Sequence, residues 1–241
     1  MAWPALVRAD RCAALARGIV ALCRRGWDAG FIGLCDEAWQ LAHHITSVMG
    51  GVMGGVLEPG MMFRRELFAF CVDPTLAAGR SRGVPAHRDR PDSGWSAVDG
   101  LALPRHCTCW IALTEATEAN GCMHVVPARA DDAAALAIPA RESGGRALEA
   151  KPGTLLAWSG QAVHWGGCHD GAPGRGPRVA MAFSITHPEV PSIGGFAPVL
   201  ADTLPGFAER VALVSTVIPW LSPPAPGSAT AVMFELLRGG R

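Results

Sequence analysis

"RHCTCWIALTEATEANGCMHVVP", residues 105–127, decides the fold class of this chain. Residues 105–114 are short, bulky and apolar, and they alternate as a strand does; residues 122–127 repeat that character. Between them lies Asn120-Gly121, a dipeptide that turns one strand back on another. Working outward, the same signature recurs in "RRELFAFCV" (64–72), "GTLLAWS" (153–159), "QAVHWG" (161–166) and "RVAMAFSIT" (178–186), separated by Gly, Pro, Asn and Asp. Many short strands at such spacing predict an antiparallel sandwich or jelly roll rather than a parallel sheet.

Helices flank this core. Leu6, Leu15, Ile19 and Leu22 fall near helical spacing and predict a first amphipathic helix that ends near Gly26. A second is expected from about Leu34 to Val48, followed by a glycine loop; "DDAAALAI" suggests a short insert helix, and 206–220 a closing helix. The expectation is one domain over 1–241, with N-terminal helices in about 4–48, a β core in about 64–187 and a C-terminal helix in about 206–220. A chain of 241 residues buries roughly 70–75% of its unfolded surface.

Composition narrows the function. Twenty-one basic residues balance 21 acidic ones, which argues against nucleic acid as a partner. The cations are almost all arginine, Lys151 being the single lysine, and leave many rigid forks suited to carboxylates and phosphates. The eight cysteines have no disulfide-module rhythm, and Arg8, Asp10 and Arg11 interrupt any secretory core at the N-terminus. A cytoplasmic setting with reduced thiols is therefore expected. Residues 38–57 lack any charged side chain, but Gln40, His43, His44, Thr46, Ser47 and four glycines make a membrane span a poor reading. Cys107 and Cys109 alternate along a strand and lack zinc-knuckle spacing.

"GVPAHRDRPDSGW" (83–95) supplies the first chemistry. If this segment enters or ends a strand, His87 and Asp89 point to one face while Arg88 points away. A second imidazole from a distant strand completes a two-His, one-carboxylate facial set, which leaves positions on Fe(II) open for a cosubstrate and oxygen. His164 is the leading candidate. Arg178 follows it at the start of a strand on which Ala180, Ala182 and Ser184 share its face. Such an arginine can hold the far carboxylate of a dicarboxylate, and the small alanines leave room for a ligand.

His87-x-Asp89, "CWIALTEATEANGCMHVVPA", "PGTLLAW", "HWGG" and "GPRVAMAFSI", in this order, resemble the phytanoyl-CoA dioxygenase family over roughly residues 65–187. The resemblance implies a mainly β fold with flanking α-helices: the double-stranded β-helix, a cupin-like jelly roll. It implies Fe(II) held by His87, Asp89 and His164, 2-oxoglutarate held by Arg178 with Trp110 lining its pocket, and O2 as oxidant. The implied reaction hydroxylates a C–H bond of a small molecule and releases succinate and CO2. Halogenating relatives replace the carboxylate with a small residue, so Asp89 implies hydroxylation, with desaturation or ring closure left open as outcomes of the same oxidation. Two departures stand out: Pro127 continues as Ala128-Arg129 where the family has Gly-Ser/Thr-His, and Gly166 stands where many members place Ser. Gly166 is therefore left outside the expected site.

Other histidines invite blander readings. His187-Pro188-Glu189 is a rival His-x-acid pair, but no histidine follows it. His43 and His44 fit surface or packing roles on a helix, His106 and His124 fit core or rim positions, and His169-Asp170 opens a polar loop read as solvated. Arg64, Arg65, Arg88, Arg90 and Arg105 lie near the site in sequence, and one or two of them could grip an anionic substrate, such as an amino acid or a natural-product intermediate. The glycine stretch 50–60 reads equally as a mobile lid or a packed turn. The competing functions are a non-catalytic β-helix binding protein and a cupin-like metalloenzyme that needs no 2-oxoglutarate.

Overall fold

The computed structural model describes residues 1–52, 60–76, 83–127, 144–192, 204–221 and 226–239. In chain order the strands are β1 (Ala2–Trp3), β2 (Met62–Phe63), β3 (Phe68–Val72), β4 (Trp95–Val98), β5 (Leu101–Pro104), β6 (His106–Ala112), β7 (Met123–Val125), β8 (Arg146–Leu148), β9 (Leu155–Ser159), β10 (His164–Gly166) and β11 (Arg178–Thr186). The helices are α1 (Ala9–Arg24), α2 (Asp36–Val52), α3 (Phe207–Leu221) and α4 (Ala229–Gly239), with a 3-10 turn over Ala29–Leu34.

Strands β1-β9-β6-β11-β2 form the larger antiparallel sheet, and β3 also pairs with β11. Strands β10-β7-β8 form a smaller one, and β4-β5 is a separate hairpin. This is the jelly-roll architecture expected from the strand spacing. Period two divides the larger sheet between two jobs. Cys107, Cys109, Ile111, Leu155, Ala157, Val179, Met181 and Phe183 pack into one core with Cys12, Leu15 and Ile19 of α1 and with Trp39, Leu41 and Ile45 of α2. The alternate residues Trp110, Ala112, Leu156, Trp158, Ala180 and Ala182 pack with Met123 of the smaller sheet. One face of the large sheet is thus sealed by helices, and the other looks into the interior of the jelly roll.

Several elements depart from the sequence expectation. Helix α2 runs to Val52 rather than ending near Val48. Its Ala38, Trp39, Ala42, Ile45 and Met49 form one buried stripe, and that tertiary burial outweighs the propensity cost of Gly50 and Gly51. The hairpin β4-β5, turning at Asp99-Gly100 with φ of 50° and 78°, and helix α4 were not anticipated. The expected helix over "DDAAALAI" and most of the glycine stretch lie outside the described residues. No helix among the described residues is long and apolar enough to cross a membrane.

Candidate metal and cosubstrate site

His87 and His164 meet across the mouth of the jelly roll because their backbones form an isolated antiparallel bridge. Each amide donates to the other's carbonyl at 3.0 Å. The two imidazoles lie 4.4 Å apart, centroid to centroid. Asp89, two residues beyond His87 on the same face, places Oδ1 3.2 Å from His87 Nε2 and Oδ2 3.4 Å from His164 Nε2. One ligand atom from each residue fits within 4.8 Å of the other two. The structure therefore brings together the three residues the sequence singled out.

Their supports orient them. His87 Nδ1 lies 2.7 Å from Pro85 O, and His164 Nδ1 lies 3.0 Å from Ala162 O. A carbonyl can only accept, so each Nδ1 carries the proton and each Nε2 offers its lone pair to the centre. Thr108 Oγ1 donates to Asp89 Oδ2 at 2.6 Å and Trp158 Nε1 donates to the same oxygen at 3.3 Å. Burial opposes charge on Asp89, but the hydrogen bond with His87, the charge of His164 and the Thr108 hydroxyl outweigh it; its pKa lies below the usual carboxylate range. At His164 burial dominates and lowers the pKa, favouring the neutral, ligating form. At His87 burial is outweighed by Asp89, and the pKa rises. The donor set, two neutral-capable imidazoles and one carboxylate facing an open cavity, fits a divalent iron that keeps exchangeable positions.

Thr108 and Trp158 were not foreseen as site residues. The available signal was parity: Thr108 shares a face with Trp110, two residues on. Substituting Thr108→Val keeps the shape and removes the only hydroxyl bonded to Asp89 among the described residues. Metal affinity is expected to fall about 10–100-fold, as for other outer-shell losses, while Thr108→Ser restores it; calorimetric titration with a divalent metal reads both.

The cavity measures about 240 Å³ and is walled by the triad, Trp110, Trp158 and Arg178. Arg178 is 2% exposed; its Nε donates to Gly121 O at 3.0 Å, and its guanidinium lies 5.9 Å from the Trp110 ring centroid. Burial lowers its pKa to about 10, offset in part by Cys122 and Cys71. No carboxylate among the described residues pairs with it. A desolvated cation without a counter-ion is costly, and a dicarboxylate entering the cavity supplies one. Arg178 and Trp110 thus occupy the same wall, as the resemblance implies for a cosubstrate pocket.

Gly166 corrects an expectation, for it lines this cavity. A Cβ there would stand 2.8 Å from Gly83 Cα and 3.0 Å from Arg178 Nη2. The site exchanges the serine of many relatives for a close backbone crossing beside the guanidinium. Gly166→Ser is expected to lower stability by about 1–3 kcal/mol through overpacking and to weaken 2-oxoglutarate binding, read by denaturant titration and by ligand-induced thermal shift.

Other sequence candidates resolve into structural roles. His106 is buried, with Nδ1 2.9 Å from Thr186 Oγ1, and burial lowers its pKa to about 4. His124 stacks on Trp165 at 5.2 Å. His169 is not solvated as expected: it is 7% exposed, with Nε2 3.2 Å from Gly176 O and Nδ1 accepting from the Gly171 amide. That ring closes the polar loop from inside. His187 and Glu189 both contact Arg105.

A double-stranded β-helix with two histidines and one carboxylate at its mouth is the framework of a non-haem iron oxygenase. Residues 40–175, more than half of the chain, match the phytanoyl-CoA dioxygenase (PhyH) family model. The chain belongs to that family of Fe(II)- and 2-oxoglutarate-dependent enzymes. No curated protein matches the sequence. Among solved structures, the epimerase SnoN from nogalamycin biosynthesis, in complex with Fe3+, alpha ketoglutarate and nogalamycin RO, is 17% identical with a TM-score of 0.56, covering 84% of this chain and 91% of that one. HygX from Streptomyces hygroscopicus, with nickel and 2-oxoglutarate bound, is 10% identical with a TM-score of 0.58, covering 78% and 82%. The nickel complex of the non-haem monooxygenase ThoJ is 16% identical with a TM-score of 0.52, covering 78% and 73%. These likenesses are of fold.

Proposed function

We propose that this chain is a 2-oxoglutarate-dependent hydroxylase in which His87, Asp89 and His164 hold Fe(II), and Arg178, backed by Trp110, holds the distal carboxylate of 2-oxoglutarate. The observation that carries this reading is the convergence of the triad within 4.8 Å in one cavity with a buried guanidinium that no described carboxylate neutralises. When bound, the iron and cosubstrate supply an oxidation in which O2 and 2-oxoglutarate become succinate and CO2, and one oxygen atom enters a substrate C–H bond.

The chain's own residues bind, orient and shield. The carbonyls of Pro85 and Ala162 hold both imidazoles in the ligating tautomer. Thr108 helps to keep Asp89 ionised, and Thr108 and Trp158 together aim it. Arg178 fixes the cosubstrate's orientation by a two-pronged contact, since a planar fork matches a carboxylate. Trp110, Trp158, Phe68 and Phe70 line the cavity with apolar surface, which excludes water from the reacting centre. Asp89 fills the position a halide would need, favouring hydroxylation over halogenation. The substrate is a small, anionic metabolite, such as an amino acid or a natural-product intermediate.

Anaerobic addition of Fe(II) and 2-oxoglutarate tests the reading. A weak visible charge-transfer band is expected, and admission of O2 should release succinate. If neither Fe(II) nor 2-oxoglutarate binds, the protein is a β-helix binding module. If the metal binds and 2-oxoglutarate does not, it is a metalloenzyme of another kind. Because SnoN is an epimerase, product analysis should follow stereochemistry as well as mass.

A further inference from the structure

We infer that the cavity holds a second anion subsite, built on Arg64, which receives a carboxylate or phosphate of the primary substrate; this rests on the reading of Arg178 as the cosubstrate anchor. Of the five arginines near the site in sequence, Arg64 and Arg90 line the cavity, and the four other than Arg64 are committed elsewhere. Arg65 pairs with Glu209, Arg88 reaches Gln161 O, Arg90 holds Asp92 through Nε and Nη2 and Pro191 O through Nη1, and Arg105 holds Glu189 and His187. Arg64 differs. It is 4% exposed, lines the cavity, and spends Nη2 on the carbonyls of His187 and Val190. Its Nε is buried with no hydrogen-bond partner among the described residues, as is that of Arg65, whose fork is held by Glu209. Burial lowers the pKa of Arg64, and the charge of Glu66 opposes that.

Register places this guanidinium away from Arg178. The Arg64 amide donates to Ser184 O at 2.9 Å, and Ser184 lies opposite Thr108, whose hydroxyl holds Asp89. Arg64 therefore starts about two strands, roughly 10 Å, from the strand that carries the Asp89 support. Arg178 starts six residues along β11 from Ser184, roughly 20 Å away. The cavity that holds the triad is thus lined by two buried cations that start from well-separated backbone positions. One is matched to the cosubstrate, and the other faces the remaining volume.

The wall beside Arg64 describes the rest of the substrate. Glu66, Phe68 and Phe70 continue the period-two face from Arg64 into the cavity. Phe68 lies 5.9 Å, centroid to centroid, from Trp220, which stands 54% exposed on α3 and also lines the cavity. The pocket so described takes a molecule with an anionic head at Arg64 and an apolar or aromatic body along Phe68 and Trp220.

The test uses protein loaded anaerobically with Fe(II) and saturating 2-oxoglutarate, so that Arg178 is occupied. Phenylacetate, hexanoate and phenyl phosphate are titrated against their neutral counterparts phenylacetamide, hexanamide and phenol, with tryptophan fluorescence as the signal. At least one anion is expected to bind about ten- to a hundredfold more tightly than its neutral partner, the range of a charge-assisted hydrogen bond; whether carboxylate or phosphate wins identifies the head group. Arg64→Gln should remove that preference and leave 2-oxoglutarate affinity unchanged. Binding without an anion preference, no binding by any probe, or a preference that survives in a folded Arg64→Gln overturns the subsite. Arg64→Lys, which keeps the charge, retains part of the preference and separates recognition from simple misfolding. If 2-oxoglutarate itself fails to bind, the cosubstrate reading fails instead, and the same titrations on Arg64→Gln and Arg178→Gln show which cation the probes use.

Discussion

His164→Ala is expected to abolish the visible band that Fe(II) and 2-oxoglutarate should produce together, and to bring succinate release to background. The expected loss of metal affinity exceeds the about 10–100-fold that outer-shell changes cost, because a ligand itself is gone. His164 is 3% exposed and its ring sits 4.7 Å from Trp158, centroid to centroid, so the substitution also opens a small space. Thermal unfolding separates the two effects. The variant should remain folded, and Fe(II) should no longer raise its unfolding temperature, since stabilisation by a ligand follows its occupancy. A variant that still shows the full band would remove His164 from the site. Asp89→Ala should behave alike, and it further leaves Thr108 and the Trp158 indole without their acceptor.

Arg178→Gln separates binding from stability in the opposite sense. With Fe(II) present, half-saturation by 2-oxoglutarate should rise by about thirtyfold or more, the loss typical of breaking a buried, hydrogen-bonded charge pair. Without cosubstrate, the protein should be no less stable than wild type, because a desolvated cation lacking a described carboxylate partner has been removed. A structural arginine would give the reverse: lower stability and unchanged cosubstrate affinity. Arg178→Lys should recover only part of the affinity, for an ammonium cannot make the two parallel bonds of a fork.

The strands were legible because each side of the sheet has its own chemistry. On β11, Arg178, Ala180, Ala182 and Ser184 alternate with Val179, Met181 and Phe183; Arg178, Ala182 and Ser184 line the cavity, Ala180 packs beside Trp110, and Val179, Met181 and Phe183 pack in the core shared with the helices. Period two carried that division directly. That His87, Asp89, His164, Arg178 and Trp110 would share one cavity was legible because ligand chemistry restricts residue types so strongly. The end of α2 was not, since local propensity stops the helix at its glycines whereas packing of the Ala38–Met49 stripe carries it to Val52. His169 also misled: a polar loop sequence hides a ring turned inward to bond Gly176 O.

By itself, the sequence determined the jelly-roll class, the family and the residue types of the candidate metal and cosubstrate site, because hydrophobic period and ligand identity are local properties of a chain. Only the tertiary structure decided which of five neighbouring arginines line the cavity, which hydroxyl and indole hold Asp89, and why residue 166 is glycine. Those are facts of distance between segments as much as 126 residues apart. Pairing register sets such distances, and no local pattern encodes them.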